Sequence, residues 1–191
     1  MRCASYCNLL DQFIFRTGGV SSRTILRTVE RYDILRNVWE EMPQMKVGRY
    51  NHGSCTLGSA VYALCGQITD IECLNSVEKL DTRDLPAGWR LIKMPPTSFV
   101  PRASLVTAAL DSHQILIMGG WDSLDFLSDV WSLDTRDQSF RLVIREAPFG
   151  FFVSETTPVQ VSPGVVVSTV SIPFIGYRLV QFKDNIIQVL Y

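Results

Sequence analysis

Short apolar runs separated by polar turn residues occupy almost the whole chain, and helical periodicity is nearly absent. The third quarter shows this pattern most clearly, with β-favouring runs at residues 104–110, 115–118, 130–133 and 140–143. The second of these runs is continuously apolar, which is typical of a strand covered on both faces, and Gly119-Gly120 ends it. Because the links between the runs are short, the segment predicts a four-stranded antiparallel sheet.

The same unit recurs about every fifty residues, which indicates one supersecondary element copied side by side. Each copy has an arginine, then two small residues, then an aspartate preceded by an aromatic residue or leucine, then a second aromatic residue. These markers are Arg2, Gly18-Gly19, Tyr32-Asp33 and Trp39 in the first copy, Arg49, Cys65-Gly66, Leu80-Asp81 and Trp89 in the second, and Arg102, Gly119-Gly120, Leu133-Asp134 and Phe140 in the third. We expect the final aromatic residue of each copy, and the residue before each aspartate, to be buried between neighbouring units.

The remaining β-favouring runs fall at 4–9, 13–16, 28–32 and 38–41 in the first copy, at 53–57, 60–64, 76–80 and 89–92 in the second, and at 156–161, 165–170, 177–182 and 186–190 near the C-terminus. The last group lacks the pair of small residues and is a degenerate copy. Four short antiparallel strands per copy are the pattern of a β-propeller blade. The sequence therefore predicts one all-β domain over residues 1–191, with four blades at roughly 2–47, 48–100, 101–147 and 148–191.

The motif Ile-x-x-x-Gly-Gly, followed by Tyr-Asp and then Trp, with an arginine opening each unit, resembles the kelch repeat of β-propellers. The resemblance is good over residues 2–145 and weak over 150–191. Cys65 replaces a glycine and Phe140 a tryptophan, so small size or bulk is retained. The resemblance implies a kelch-type β-propeller with about four blades of four antiparallel strands. Kelch propellers usually close with about six blades, and no spare strand is left to seal this one, so we expect an incomplete ring with adhesive end faces.

Composition and charge limit the classes of protein to which the chain can belong. Apolar residues make up 47% of the 191 residues and charged residues 19%, so the chain can bury a core. The formal net charge is -1 with scattered Lys and Arg, which argues against a nucleic-acid surface. The N-terminus does not resemble a secretory signal, the apolar runs are too short to span a membrane, and the five cysteines fit reduced thiols. We therefore expect a cytoplasmic protein that does not bind membranes.

Function in propellers is usually carried by the loops at one face. The resemblance to peptide-binding kelch domains points to the loops after each pair of small residues and to the segments that lead into each first strand. These contain nine candidate binding residues: Ser22, Arg23, Arg49, Tyr50, Asn51, Gln67, Arg102, Trp121 and Asp122. Arginine and exposed aromatic side chains anchor interfaces, and arginine binds carboxylates in a bidentate manner. For Arg49 and Arg102 we prefer the alternative, a structural role on backbone carbonyls, whereas Trp121 lies outside the packing positions of the repeat.

The residue types needed for catalysis or metal binding are scarce. The two histidines, His52 and His113, occupy different structural positions, and the cysteines do not complete a metal-ligand set. His52 and Cys55, three residues apart in a strand, point to opposite faces, which argues against a thiol–imidazole pair. We therefore predict a non-enzymatic protein with no metal and no cofactor.

Two functions remain open. The first is a protein-interaction module that binds a protein or peptide partner, and the resemblance implies partners such as cullin-type ubiquitin ligases, reached through an adaptor domain, or cytoskeletal proteins. The alternative is a sugar-acting enzyme on a propeller scaffold, similar to a sialic-acid epimerase, if Arg2, Arg49 and Arg102 converge on the central channel. Such an enzyme needs these arginines open to solvent beside carboxylates, whereas structural arginines are buried on carbonyls. The oligomeric state does not follow from the sequence.

Overall fold

The computed structural model describes residues 2–3, 5–92, 95–147, 159–172 and 176–190. Within these ranges the strands form four antiparallel four-stranded sheets and one small three-stranded sheet. Blade I contains β2 (Tyr6–Leu10), β3 (Phe13–Thr17), β6 (Val29–Asp33) and β7 (Val38–Met42), and the small sheet contains β1 (Arg2–Cys3), β4 (Val20–Ser21) and β5 (Thr24–Ile25). Blade II contains β8 (Gly53–Leu57), β9 (Ala60–Leu64), β10 (Val77–Asp81) and β11 (Arg90–Leu91).

Blades III and IV repeat this order of strands along the chain. Blade III contains β12 (Val106–Ala109), β13 (Gln114–Trp121), β14 (Phe126–Asp134) and β15 (Ser139–Ile144), and blade IV contains β16 (Val159–Ser162), β17 (Val165–Ile172), β18 (Gly176–Lys183) and β19 (Ile186–Val189). The all-β propeller fold with four blades is thereby confirmed, and the degenerate fourth copy does form a blade. Residues 156–158 of its predicted first strand lie outside the described residues. A single 3-10 turn, Leu85–Ala87, is the helical element in the described part of the chain.

Apolar side chains from facing sheets make three separate cores, one between each pair of consecutive blades. The I–II core is built around Phe15, Met45, Leu80 and Trp89, the II–III core around Tyr62, Phe99, Ile115 and Trp131, and the III–IV core around Leu116, Met118, Val180 and Phe182. Among the described residues no such core joins blade IV to blade I. Within the described residues the blades therefore stack as an arc with two end faces.

The innermost strands of blades I, II and III meet through polar groups. Asn8 Nδ2 donates to Ser54 Oγ at 2.7 Å, and Thr107 Oγ1 donates to the Ser54 carbonyl at 3.2 Å. Gly53 lies so close to blade III that a Cβ there would stand 2.3 Å from Thr107 Cγ2. The inner strands thus approach closely while their buried polar groups stay hydrogen-bonded.

The pair of small residues in each repeat adopts the left-handed backbone conformation. In blade II, Cys65 has φ 58° and Gly66 has φ 92°. A Cβ on Gly66 would lie 2.5 Å from the Cβ of His52, because the segment that leads into β8 crosses the backbone here. The second position therefore requires glycine, whereas the first accepts cysteine at the cost of an unfavourable backbone conformation.

The prediction that the final aromatic residue of each repeat is buried is correct for one of the three residues. Trp89 is fully buried between blades I and II, and Phe140 is partly buried against the II–III core. Trp39 is 51% exposed, which corrects the prediction that it fills a wedge between blades. The reason is that blade I has no neighbour on that side in the described arc.

Candidate binding surface on the loop face

Three loops lie at the same end of blades I to III. They are the β4–β5 hairpin at 20–25, the loop 67–73 closed by a Gln67–Cys73 bridge, and the tip of the β13–β14 hairpin at 121–126. The incoming segments join them, since Tyr50 forms a β-bridge with Gln67, and Ala103 with Trp121. We call residues 20–25, 50–51, 67–73 and 121–126 the loop face.

The β4–β5 hairpin turns through Ser22 and Arg23, which have φ values of 48° and 68°. Two consecutive left-handed residues match the twist of a two-residue hairpin turn, although such turns usually contain glycine or asparagine. Both side chains are exposed, so the turn presents the Arg23 guanidinium at its tip.

A cleft of about 500 Å³ separates this hairpin from the 67–73 loop of blade II. Its lining combines apolar side chains, a cation and a carboxylate: Val20, Arg23, Ile25, Tyr50, Ile68, Thr69 and Asp70. Concave sites with apolar walls and a few convergent polar groups are the usual form of a binding site. The predicted residues Arg23 and Tyr50 meet here.

Side-chain hydrogen bonds hold the blade II wall of the cleft. Tyr50 Oη donates to Asp70 Oδ1 at 3.1 Å, Asn51 Nδ2 donates to Gln67 Oε1 at 3.0 Å, and Gln67 Nε2 donates to the Asp70 carbonyl at 3.2 Å. Burial and the neighbouring Asp70 carboxylate raise the pKa of Tyr50 to about 12, so the phenol keeps its proton as a donor. Asn51 and Gln67 therefore support the wall, and Tyr50 and Asp70 present polar groups to the cleft.

Trp121 and Asp122 lie in the neighbouring hairpin of blade III. The Asp122 carboxylate accepts hydrogen bonds from the backbone N–H of Leu124 at 2.9 Å and of Asp125 at 2.8 Å, so it closes the hairpin turn. Trp121 is partly exposed, and its carbonyl lies 3.6 Å from Cys73 Sγ of the 67–73 loop. Trp121 thus contacts the 67–73 loop from blade III and does not line the cleft, while Asp122 has a structural role.

The most exposed apolar residues of the loop face were not among the predicted binding residues. Ile71 is 79% exposed and Leu124 is 85% exposed, and Phe126 is also exposed at the base of the same hairpin. For Ile71 and Leu124 the available signal was a large apolar residue among polar turn residues, five and four positions after the second small residue of the repeat. These three side chains enlarge the apolar part of the surface.

Arg49 joins blades I and II from a fully buried position. Its Nη1 donates to the carbonyls of Cys65 at 2.7 Å and Ser76 at 3.1 Å, and its Nη2 donates to Glu78 Oε1 at 2.7 Å. The carboxylate of Glu78 also accepts the backbone N–H groups of Lys46 and Val47. The backbone carbonyl of Arg49 accepts the N–H of Gly19 in blade I at 2.8 Å.

Arg102 repeats the joint between blades II and III. Its Nη1 donates to the Gly119 carbonyl at 3.1 Å, its Nη2 donates to Asp129 Oδ2 at 3.0 Å, and its own carbonyl accepts the Gly66 N–H at 2.9 Å. The guanidinium carbon lies 4.4 Å from the centre of the Phe99 ring. We call this arrangement in both blades the arginine joint.

The arginine joints correct the inclusion of Arg49 and Arg102 among the candidate binding residues. Both side chains are fully buried and bonded to carbonyls and carboxylates, so neither reaches a partner at the loop face. A sugar-acting enzyme would need these arginines open to solvent, and the burial of Arg49 and Arg102 does not meet that requirement. Arg2 pairs through its backbone with Ser21.

The described residues contain no group of three His, Cys, Asp or Glu side chains placed to hold a metal ion. His52 is buried, with its Nε2 at 2.8 Å from Thr17 Oγ1 in blade I. Within the part of the chain that the structure describes, no helix is long and apolar enough to span a bilayer.

Comparison with known proteins agrees with the blade pattern. The family model for the kelch motif matches residues 14–46 and 102–143, the two copies that keep both glycines. The chain is 26% identical over 82 residues to "Kelch repeat and BTB domain-containing protein 2" of cowpox virus strain GRI-90, and 26% identical over 82 residues to the horsepox virus protein of the same name. Each alignment covers 40% of this chain and 15% of the relative. The four blades and these matches together show that the chain is built from repeats similar to the kelch repeat.

Proposed function

We propose that this chain is a protein-interaction scaffold that binds a peptide segment of its partner in the cleft between the β4–β5 hairpin and the 67–73 loop. The observation that carries the proposal is the convergence of Arg23, Tyr50 and Asp70 around an apolar cleft at the loop face. Kelch repeats and the propeller fold support an interaction role in general, because propeller loops are positioned by a rigid scaffold.

The lining of the cleft favours a partner segment with one large apolar side chain beside a carboxylate. The apolar side chain would bury against Val20, Ile25 and Ile68. The carboxylate would accept two hydrogen bonds from the Arg23 guanidinium, which is exposed at the tip of its turn. The apolar tips Ile71 and Leu124 would contact flanking residues of the partner.

A phage-displayed library of random peptides, selected on the immobilised chain, tests this proposal. Enriched peptides should contain an acidic residue next to an apolar one. Their affinity, measured by fluorescence anisotropy, should fall at least about tenfold for Arg23→Ala, because a bidentate anchor is lost. Arg83→Ala is the matched control, since Arg83 is also an exposed arginine in a turn but outside the loop face. Equal affinity for the wild type and Arg23→Ala would rule out the cleft as the binding site.

Within this class we propose a ubiquitin-ligase adaptor role ahead of a cytoskeletal one. An adaptor requires a second domain beside its kelch repeats, and the viral relatives carry a BTB domain by name. Co-purification of a cullin subunit with the natural full-length protein would support the adaptor role. Co-sedimentation with actin filaments instead would favour the cytoskeletal role.

A further inference from the structure

A second cavity lies between blades II and III, at the opposite end of the strands from the loop face. Its volume is about 250 Å³, and its lining combines cations, carboxylates and apolar side chains: Lys79, Asp81, Asp84, Ala87, Gly88, Arg90, Leu91, Ile92 and Gln138. Gln138 comes from the β14–β15 turn of blade III, and the other residues come from the stretch 79–92 of blade II. Pockets for drug-sized ligands usually measure roughly 300–1,000 Å³, so this one suits a compact group.

Two cations stand opposite each other in this cavity. Lys79 of β10 pairs in register with Arg90 of β11. Like charges directly opposite in an antiparallel pair are destabilising, because their Cβ atoms are only about 5 Å apart. The Lys79 ammonium lies 5.9 Å from the centre of the Tyr62 ring, and it forms no salt bridge with any residue that the structure describes. The described residues therefore provide no counter-ion for Lys79.

The same register position, two residues before the aspartate of each repeat, is occupied differently in the neighbouring blades. In blade I it pairs Arg31 with Glu40, whose Nη2 and Oε2 atoms are 2.7 Å apart. In blade III it pairs Arg141 with the neutral Ser132. A cation at this position is thus balanced by a carboxylate in blade I, whereas in blade II a second cation takes the place of that carboxylate.

The two carboxylates of the lining already have arginine partners. Asp81 accepts hydrogen bonds from Arg83 Nε at 3.1 Å and Nη2 at 3.0 Å, and these bonds hold the pKa of Asp81 well below its usual range. Asp84 Oδ2 lies 3.8 Å from Arg90 Nη2, and both of these side chains are mostly exposed, so that pair contributes little. With Lys79, three cations stand against two carboxylates, and the cavity has a net positive charge.

We propose that this cavity binds a phosphate group, carried either by free phosphate or by a phosphate ester of a partner. A phosphate ester has a charge of about -1.5 to -2 at pH 7 and three acceptor oxygens, so it can accept from Lys79 and Arg90 together and remove their repulsion. Arginine binds phosphate in a bidentate manner, and lysine adds a point charge. Leu91, which is 53% exposed in the lining, would contact the carbon chain of an ester.

This site is separate from the loop face, so it can fail without affecting the proposed peptide binding. The third strand of each blade begins at the loop face and ends at the connection to the fourth strand, where this cavity lies. None of the residues that line the cleft also lines this cavity.

NMR titration of the ¹⁵N-labelled chain at pH 8 and constant ionic strength tests the site, with inorganic phosphate and N-acetyl-phosphoserine methylamide as the probes. Both probes should shift the amide signals of residues 79–92 and 138 in a saturable way. Lys79→Gln or Arg90→Gln should raise the dissociation constant at least about tenfold, because one of two charged donors is lost. Arg141→Gln is the matched control, since Arg141 occupies the same register position in blade III and should leave the dissociation constant unchanged.

Arg90→Glu separates the repulsion between the two cations from a general loss of charge. It restores the opposite charges that blade I has at this position, so it should abolish phosphate binding and raise the melting temperature in phosphate-free buffer. A lower melting temperature would show that the two cations do not repel, and it would overturn the proposal.

The two probes identify the source of the phosphate group. Tighter binding of the ester, which Leu91 favours, would assign the site to a phosphorylated partner, and equal affinity would assign it to free phosphate. The proposal would be wrong if Lys79→Gln bound both probes as tightly as the wild type, or if Arg141→Gln lost as much affinity as Lys79→Gln. It would also be wrong if neither probe caused a saturable shift at concentrations up to about 20 mM.

Discussion

Trp39 in blade I and Trp89 in blade II occupy the same position of the repeat and have opposite environments. Trp89 is fully buried, and its Nε1 donates to the carbonyl of Pro43, in the segment between the two blades, at 2.9 Å. Trp39 is half-exposed, packs at a tilt against Tyr32 with 5.2 Å between ring centres, and lies under the Arg16 guanidinium at 4.9 Å. The burial of this aromatic residue therefore depends on whether a preceding blade covers it.

The largest expected effect comes from truncating the two tryptophans. Trp89→Ala should lower the free energy of unfolding by about 3–5 kcal/mol, because a fully buried aromatic leaves a cavity. Trp39→Ala should cost about 1 kcal/mol or less in the monomer, because its ring is already half in water. Urea unfolding of both variants under monomeric conditions measures the difference. Similar losses would mean that Trp39 stabilises its own blade.

A smaller difference in the free energy of unfolding is expected when each of two ion pairs is broken. Arg49–Glu78 is fully buried between blades I and II, whereas Arg16–Glu30 lies on the outer face of blade I with both side chains about one-third exposed or less. Glu78→Gln should cost about 3 kcal/mol because the Arg49 charge is left buried and unpaired. Glu30→Gln should cost about 1 kcal/mol or less, and added salt should reduce that cost.

Urea unfolding at low and high salt is the appropriate measurement for both variants. Arg16 would retain contact with Trp39 after the Glu30 substitution, which makes that variant the matched control. A salt-sensitive loss for Glu78→Gln would contradict the dry environment of the joint.

The smallest expected effect is a difference in reactivity between exposed and buried thiols, which can be measured without any substitution. Cys7 is exposed in β2 of blade I, whereas Cys55 and Cys65 are buried in blade II, where burial raises the pKa of each thiol to about 12. Because the thiolate is the reactive form, a disulfide reagent at pH 8 should modify Cys7 rapidly and spare the other two until the chain unfolds. Mass spectrometry of the labelled peptides measures the three rates. Fast labelling of Cys65 in folded protein would show that the II–III contact opens readily.

Much of the fold could be predicted because blade formation depends on local patterns. The continuous apolar run 115–118 and the turn after Leu133 are enough to place β13 and the β14–β15 turn. The exposure of Trp39 could not be predicted in this way, since it depends on whether a neighbouring blade exists. The sequence of a repeat determines which side chains lie on the face of its blade. It does not show whether another blade covers that face.

The candidate site was harder to predict because its residues act through tertiary geometry. Arg49 and Arg102 occupy the same position of the repeat, yet their carboxylate partners come from different positions in the sheet. Glu78 lies opposite Ala63 in blade II, whereas Asp129 lies two residues before Trp131 in blade III. No fixed spacing identifies such a partner in the sequence. Arg23 and Tyr50 were identified from loop position, but their meeting with Asp70 depends on the stacking of blade I on blade II.

The arginine joint also determines how the arc can come apart. Because Gly19 and Gly66 donate their amides to the carbonyl of the arginine in the next blade, each of these protons is protected by two sheets at once. Loosening an end blade leaves the far joint intact, whereas loosening blade II breaks both joints together. Local unfolding should therefore begin at the terminal blades and reach blade II last. The amide of Gly66 should exchange with solvent only when blades II and III separate.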